Sequence, residues 1–430
     1  MLEDRFGNQL ETRSDAARDA YVEAVDLFLG ANAGALDAFE KALQADPQFT
    51  RARVGLARVQ AAASKIEDAR RNLALAESQL DGASAELRGH VLCLGDVTRG
   101  DGVKARARIE KHLADHPRDV MALQPMTGVF GLIGFSGAAG REQYQRAFIE
   151  QFAQAYAEDW WFTGQYAFAL AETGAIRDAE NRIAVSLDGN PRNANAAHIK
   201  GHIHYEQGEA KAGFAYLKDW AEDYPRGAPL HCHVSWHLAL WSLEQGDVAA
   251  AWARAEDAIC PGAAAGPPIN VATDTAAFLF RAELAGEAPR PDLWRKVSAY
   301  AADCFPTPGV AFADVHAALA HAMCGDSAAL ARIISDAKGP AADVVRTVGE
   351  GFGDFVAGRY IAAAAKLEAA MPHNERLGGS RAQRDLIAYA IVAAHLRAGN
   401  AEAAEAFIAS HRPARAGDPA LPTAQNHLVH

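Results

Sequence analysis

The stretch from Pro229 to Asp247, PLHCHVSWHLALWSLEQGD, combines a regular pattern of apolar residues with three histidines. Its apolar side chains recur every three or four residues, the spacing of one helix face, at Leu230, Val234, Leu238 and Trp241. Gly246 and Asp247 end the pattern where a C-terminal cap belongs. The pattern therefore predicts one amphipathic helix over this stretch.

Two of the histidines in this predicted helix lie on the same face. His233 and His237 are four residues apart, so their rings lie one above the other and could share a ligand or a metal ion. The alternative is structural, because a histidine in an apolar helix is often a packed residue that hydrogen-bonds to a backbone carbonyl.

The pattern along the rest of the chain is also helical. Alanine is abundant, and β-branched alternation and hairpin turn signals are nearly absent, so the predicted fold class is all-α. Glycine turns at Gly174, Gly208 and Gly246 are separated by 34 and 38 residues. Prolines follow at similar spacing, at Pro191, Pro225 and Pro261. A helix, a glycine turn, a second helix and a proline break form the tetratricopeptide unit, which has a period of about 34 residues.

The same rhythm extends over most of the chain. It predicts roughly eleven helix pairs that begin near Asp15, Phe49, Ser84, Val120, Asp159, Asn193, Pro229, Asn270, Ala311, Ala341 and Ser380. We expect residues 1–412 to form a single right-handed α-solenoid that curls strongly into a superhelix, with its softest joints near 262–270 and 338–342. Residues 413–430, rich in Ala, Pro and polar residues, are predicted to be a loose tail.

Composition narrows the class of partner. There are 42 Lys and Arg residues against 54 Asp and Glu, giving a net charge of −12. The sequence has no stripe of basic residues of the kind that binds nucleic acid. The five cysteines are odd in number and lack C-x-x-C spacing, which indicates a reducing compartment. The N-terminus lacks the apolar core of a signal peptide, and no apolar run approaches about eighteen residues. We therefore expect a soluble, cytoplasmic protein that binds neither nucleic acid nor membrane.

Unusual polar residues collect on the first helix of successive predicted pairs. They are His90 on the third pair, His198 and His202 on the sixth, His233 and His237 on the seventh, Asp274 on the eighth, Asp314 and His316 on the ninth, and Arg384 on the eleventh. The first helices of stacked pairs line the concave side of a solenoid. These side chains can therefore converge on one interior groove, the place where such scaffolds bind their ligands.

Several kinds of chemistry are open to this set. His198 and His202 have the i, i+4 spacing of metal ligands, but the residues between them lack the glutamate of the HExxH motif, which argues against a metalloprotease. A histidine-rich site for a divalent metal, completed by Asp314 or Asp274, remains open. Asp314 and His316 are only two residues apart, so they should lie on different faces of their helix. No other motif implies a cofactor.

The segment GGSRAQRD, residues 378–385, has both an architectural and a functional interpretation. Gly378 and Gly379 make a turn, while Ser380 caps the next helix and Gln383 completes a capping box. Arg384 is then available as a fork for a carboxylate or phosphate, or as a partner for an acidic residue on a neighbouring helix.

These passages also resemble a known group. The segments that carry the resemblance are HPRDVMAL (116–123), FALAETGAIRDAE (168–180), NAAHIKGHIHYEQGE (195–209), HVSWHLALWSLEQGD (233–247), FADVHAALA (312–320) and GGSRAQRD (378–385). Together they are similar to the tetratricopeptide repeat protein 38 family. The run HIHYEQG departs from the family's pattern, which shifts Glu206 and replaces an arginine by Glu209. The resemblance implies a repeat fold and no established reaction.

The leading hypothesis is a binding scaffold whose concave channel, lined by histidines and Arg384, holds a peptide segment or a small acidic ligand. Two alternatives use the same residues. In one, His202, His233 or His237 act as general acid and base or as metal ligands in an enzyme. In the other, the histidines form a buried hydrogen-bond network that fixes the pitch of the solenoid. His316 and Arg384 join the common site only if the superhelix curls enough to bring its later turns across the groove.

Overall fold

The computed structural model of the chain describes residues 2–413. The loose tail predicted for residues 413–430 lies, from residue 414 onward, outside the described residues. Within residues 2–413 the protein is built from 23 α-helices, two short 3₁₀-helices and one pair of two-residue strands. The predicted all-α repeat fold is confirmed.

The helices follow one another in chain order with short connections. The first eleven are α1 (Asp15–Leu29), α2 (Ala35–Ala45), α3 (Thr50–Ala62), α4 (Ile66–Ser78), α5 (Ala85–Thr98), α6 (Gly102–Asp115), α7 (Val120–Leu123), α8 (Arg141–Glu150), α9 (Ala153–Tyr156), α10 (Trp160–Glu172) and α11 (Ile176–Gly189). The remainder are α12 (Ala194–Gln207), α13 (Ala210–Ala221), α14 (His231–Glu244), α15 (Val248–Ala258), α16 (Pro268–Leu284), α17 (Pro291–Cys304), α18 (Ala311–Cys324), α19 (Ser327–Asp336), α20 (Ala342–Val356), α21 (Tyr360–Ala370), α22 (Arg381–Arg397) and α23 (Ala401–His411).

The helix pairs agree with the repeat pattern in the sequence. Each of the eleven predicted starting points lies within two residues of the start of a helix. The turn glycines Gly174, Gly208 and Gly246 have φ values of 81°, 73° and 77°, the left-handed conformation that ends a helix and that glycine adopts without strain. The strong right-handed curl stays a prediction.

The fourth pair departs from the regular repeat. Its first helix, α7, has only four residues and passes directly into a 3₁₀-helix over Gln124–Met126. Pro125 lacks a backbone N–H, so it cannot continue the i to i−4 ladder of an α-helix. The next helix, α8, begins only at Arg141. The first helix of this pair is therefore short, although it begins at the predicted residue, Val120.

The helices form two compact units. Unit 1 contains the residues up to Ile133 together with Gln145–Ala169 and Asn181–Ala197. Unit 2 contains Gly134–Tyr144, Leu170–Glu180 and the chain from His198 onward. The single solenoid over residues 1–412, with joints near 262–270 and 338–342, stays a prediction.

A short β-hairpin in unit 1 was not predicted from the sequence. Its strands β1 (Leu2–Glu3) and β2 (Gln9–Leu10) pair antiparallel. Arg5 Nε donates to Asp26 Oδ1 at 2.6 Å, and Arg118 Nε donates to the carbonyl of Phe6 at 2.5 Å. Two-residue strands are too short to leave a periodic signal in the sequence, and these tertiary contacts hold the hairpin in place.

The first helices of unit 2 are buried on nearly every side. In α14 every residue from Cys232 to Glu244 is buried, and in α18 every residue from Phe312 to Ala322 is. The second helix α15, in contrast, buries only one face, at Ala251, Trp252, Ala255 and Ala258. A polar side chain on a first helix is therefore removed from water and needs a partner.

Two observations bear on the environment of the protein. No helix within residues 2–413 is long and apolar enough to cross a membrane. All five cysteines are free thiols.

The start of α22 provides a test of the local structure. Ser380 Oγ accepts from the Gln383 backbone N–H at 3.2 Å, and Gln383 Oε1 accepts from the Ser380 N–H at 3.0 Å, so the predicted capping box is confirmed. We expect Ser380→Ala to lower the free energy of unfolding by about 1 kcal/mol in urea titrations, because one helix N–H loses its acceptor. Ser335→Ala, at an exposed site, should change it by less than about 0.5 kcal/mol. Equal effects of both substitutions would contradict this role for Ser380.

Candidate functional site

Four buried histidines of unit 2 meet at one point. His198 and His202 come from α12, and His233 and His237 come from α14. One ring nitrogen from each lies within 4.8 Å of the corresponding nitrogen of every other. The Nε2 atoms of His202 and His198 are 2.8 Å apart, and those of His198 and His237 are 3.2 Å apart.

This convergence follows from helical periodicity. Each helix contributes two histidines four residues apart, which place their rings on the same face. Relative exposure is 8% for His198 and at most 4% for the other three, so the rings face one another inside the protein. The structure thus places both same-face pairs predicted from the sequence in one cluster.

Burial keeps three of these rings, His198, His202 and His237, neutral. Burial lowers the pKa of His202 to about 3, with a smaller contribution from His233. Burial also lowers the pKa of His198 and His237 well below the ordinary value, and the neighbouring histidine charges add to the effect. A neutral imidazole has a lone pair on one ring nitrogen, which is the form that binds a metal ion.

The contact geometry is better suited to a shared cation than to hydrogen bonds alone. His198 Nε2 approaches both His202 Nε2 and His237 Nε2. A neutral Nε2 carries either one hydrogen or one lone pair, so this atom cannot make two good hydrogen bonds at once. A cation at the centre accepts a lone pair from every ring.

Asp274 on α16 supports the cluster from outside. Its Oδ2 lies 2.8 Å from His233 Nδ1, and both side chains are buried. A carboxylate accepts hydrogen bonds, so His233 donates through Nδ1–H. The indole of Trp236 stacks on the same ring at 5.2 Å between centroids. His233 is therefore held in one orientation.

His316 on α18 interacts electrostatically with Asp274, but it does not belong to the cluster of four histidines. Its Nδ1–H donates to the carbonyl of Phe312 at 2.7 Å, while its buried Nε2 has no hydrogen-bond partner among the described residues. Burial lowers the pKa of His316 to about 4, opposed by the Phe312 carbonyl and by Asp274. Its place in a shared site stays a prediction.

Asp314 has a different environment from His316. Its Oδ2 accepts from the Gly309 backbone N–H at 2.9 Å. Burial raises the pKa of Asp314 to about 6, opposed by that hydrogen bond and by Lys338. The two side chains contact different neighbours, as expected for residues two apart on a helix, and Asp314 is not among the residues of the histidine cluster.

Arg384 pairs with an acidic residue of the protein, which is one of the two roles that the sequence allowed for it. It is 5% exposed and donates to Glu142 and to the carbonyl of Gly379. Arg141 donates to the same carbonyl at 2.8 Å. The structure brings Arg384 into this ionic cluster and does not place it among the four histidines.

Sequence reasoning missed the acidic side of that cluster. Glu172 lies 3.9 Å from Arg384 and accepts from the Arg381 backbone N–H at 2.9 Å. Burial raises the pKa of Glu172 to about 7, although the Arg384 charge opposes this shift. Glu142 precedes Arg384 by 242 residues, and no local pattern signals such a distant pair.

Unit 1 contains a separate histidine cluster that sequence reasoning found only in part. His90 Nδ1 and His112 Nε2 both lie 2.8 Å from Asp119 Oδ2. Burial disfavours the charged form of Asp119, but the two imidazoles outweigh it and hold the pKa of this carboxyl well below its usual value. Only His90 was singled out, because His112 lies on a second helix. The HPRD segment that contains Asp119 was the available signal.

A family model agrees with the repeat fold over part of the chain, and solved structures share some likeness with it. Residues 29–89 match the family model described as tetratricopeptide repeat. The human IFIT1 dimer with m7Gppp-AAAA is 13% identical, with 95% of this chain and 97% of that chain covered and a TM-score of 0.47. Yeast Tom70 is 13% identical, with 91% and 82% covered and a TM-score of 0.35. With its helix pairs, the chain is a tetratricopeptide-like repeat protein.

The neutral histidine cluster predicts a pH dependence of stability. In the unfolded state a histidine binds a proton below about pH 6.5. In the folded state the His202 ring stays unprotonated until about pH 3. The unfolded state therefore binds more protons in this window, and the free energy of unfolding falls as pH decreases, by up to about 1.4 kcal/mol per pH unit for each such ring. We expect His202→Gln to make this dependence shallower in urea titrations between pH 7 and pH 5.

An exposed histidine supplies the control for this experiment. His373→Gln should leave the slope of unfolding free energy against pH unchanged. If His202→Gln has the same slope as the wild type, His202 is not a ring that folding keeps neutral.

Proposed function

We propose that this protein is a tetratricopeptide-like binding scaffold whose binding centre is a divalent transition-metal ion held by His198, His202, His233 and His237. The observation that carries the proposal is the convergence of four buried ring nitrogens within 4.8 Å of one another. The proposal combines the binding-scaffold hypothesis with the metal-site alternative from the sequence.

The spacing of the nitrogens is close to that of a metal shell. A Zn²⁺ ion binds histidine nitrogen at about 2.0 to 2.1 Å, so tetrahedral ligands lie about 3.3 to 3.4 Å from one another. The separations of 2.8 and 3.2 Å around His198 lie just below that value, and no two of the four nitrogens are more than 4.8 Å apart. Small changes in ring orientation are enough to centre an ion.

The surroundings of the cluster support metal binding in two further ways. Three of the rings have lowered pKa values, so a metal ion does not compete with protons at neutral pH. The hydrogen bond from His233 to Asp274 is the carboxylate–histidine arrangement that orients a metal ligand and raises its basicity. Imidazole ligands suit zinc, copper, iron and nickel ions.

A metal ion in this cluster would also favour an acidic ligand for the scaffold. Four neutral imidazoles leave the charge of a divalent ion uncompensated, and Asp274 supplies a single carboxylate beside it. An additional anionic ligand is therefore favoured as a fifth ligand that expands the shell of four imidazoles. We propose that this ligand is the carboxylate of a peptide segment or of a small acidic molecule.

The finer identity of the chain belongs to the same proposal. The histidine-rich segments of α12 and α14 and the GGSRAQRD segment support membership of the tetratricopeptide repeat protein 38 family. The net charge of −12 supports partners other than nucleic acid. We propose a cytoplasmic location, supported by the free cysteines.

Calorimetric titration of chelator-treated protein with Zn²⁺ tests the proposed centre. We expect one ion to bind per chain, and the double variant His202→Gln/His237→Gln to lose this binding because two ligands are removed. Asp274→Asn should weaken binding by about 10- to 100-fold, because His233 loses the acceptor that orients it. His204→Gln is the matched control, since His204 shares helix α12 but hydrogen-bonds to Glu209 at 2.8 Å outside the cluster.

Two results would contradict the proposal. Equal zinc binding by the wild type and the double variant would place the metal elsewhere on the protein. An absence of zinc binding by the wild type, together with a large loss of unfolding free energy in the double variant, would assign the histidines to a structural network.

A further inference from the structure

Helix α3 of unit 1 carries two arginines on one face with opposite surroundings. Arg51 and Arg58 are seven residues apart, which is about two helical turns. Arg51 is 1% exposed and forms ion pairs with Glu11 at 2.8 Å and with Glu86 at 2.6 Å. Its positive charge is therefore compensated within the protein.

Arg58 has no such compensation. Among the described residues, no carboxylate oxygen lies within 4.0 Å of its guanidinium nitrogens, and its buried Nε has no hydrogen-bond partner. Its Nη2 reaches Gln124 Oε1 only at 3.5 Å, and its Cζ lies 5.6 Å from the centroid of the Phe28 ring. Burial alone lowers the pKa of Arg58 to about 10, which is the effect of a cation surrounded by protein without an opposite charge.

The residues of this region are nevertheless not fully covered by protein. The Arg58 side chain is only half-buried, as are Phe28 and Gln124. A partly desolvated cation without an ion pair reduces stability, because the protein replaces neither its hydration nor its counter-charge. An anion that enters from solvent removes this penalty and gains two parallel hydrogen bonds from the planar fork.

We propose that Arg58, Gln124 and Phe28 form a binding site in unit 1 for an oxyanion, the carboxylate or phosphate group of a small molecule. Arg58 binds two oxygen atoms through its fork, and the amide nitrogen of Gln124 supplies a further donor. The face of Phe28 packs against the guanidinium and restricts its orientation. The site is independent of the proposed metal centre, whose ligands all lie in unit 2.

Thermal unfolding with added anions tests the site on the full-length protein. Inorganic phosphate and acetate are titrated separately against chloride at constant ionic strength. We expect the wild-type Tm to rise with the logarithm of the concentration of at least one oxyanion, because a ligand that binds only the folded state stabilises it. Whichever anion produces the rise identifies the class, phosphate or carboxylate.

The variant Arg58→Gln separates a ligand-binding role from a structural one. In chloride its Tm should equal or exceed that of the wild type, because a partly desolvated cation without an ion pair is removed. Its affinity for the effective anion by calorimetry should be lower by at least about tenfold. The control Arg53→Gln, on the same helix but bonded to the Pro47 carbonyl at 2.5 Å, should keep the wild-type response.

Three results would overturn the proposal. One is a wild-type Tm that responds to neither anion. Another is an anion response that persists in Arg58→Gln, which would place the binding elsewhere. The third is a loss of Tm in chloride for Arg58→Gln as large as that for Arg51→Gln, which would make Arg58 a structural residue like its ion-paired neighbour.

Discussion

The cost of removing polar groups from water governs the structure of this protein. The first helix of a repeat packs against helices on nearly all sides, as α14 does from Cys232 to Glu244. A charged or polar side chain on such a helix loses its hydration and destabilises the fold unless a partner replaces it. The buried polar groups of this protein differ in how this cost is met.

Three solutions occur within the described residues. In the histidine cluster, burial keeps His198, His202 and His237 neutral, which avoids buried charge and leaves lone pairs for a metal ion. Arg384 keeps its charge and pairs with Glu142. Arg58 keeps its charge without a protein carboxylate, so a bound oxyanion is the partner that it lacks. The histidine cluster and Arg58 can therefore still bind a ligand, whereas Arg384 is already paired within the fold.

The sequence predicted the features that depend on local periodicity. Helix starts followed from turn glycines and helical spacing, and the two same-face histidine pairs followed from i, i+4 spacing on consecutive first helices. The partners of Arg384 and Arg58 could not be predicted, because Glu142 is 242 residues from Arg384 and the missing counter-charge of Arg58 is visible only in three dimensions. The four-residue helix α7 shows that Pro125 interrupts a repeat whose period otherwise continues.

X-ray absorption spectroscopy at the metal edge of the zinc-loaded protein tests the central claim most directly, because it reports the atoms bound to the ion. The account predicts a first shell of nitrogen at about 2.0 to 2.1 Å, with the outer-shell scattering of about four imidazole rings and no sulfur. A shell with sulfur at about 2.3 Å, or with mainly carboxylate oxygen and at most one imidazole, would contradict it. Such a result would place the ion outside the cluster of His198, His202, His233 and His237.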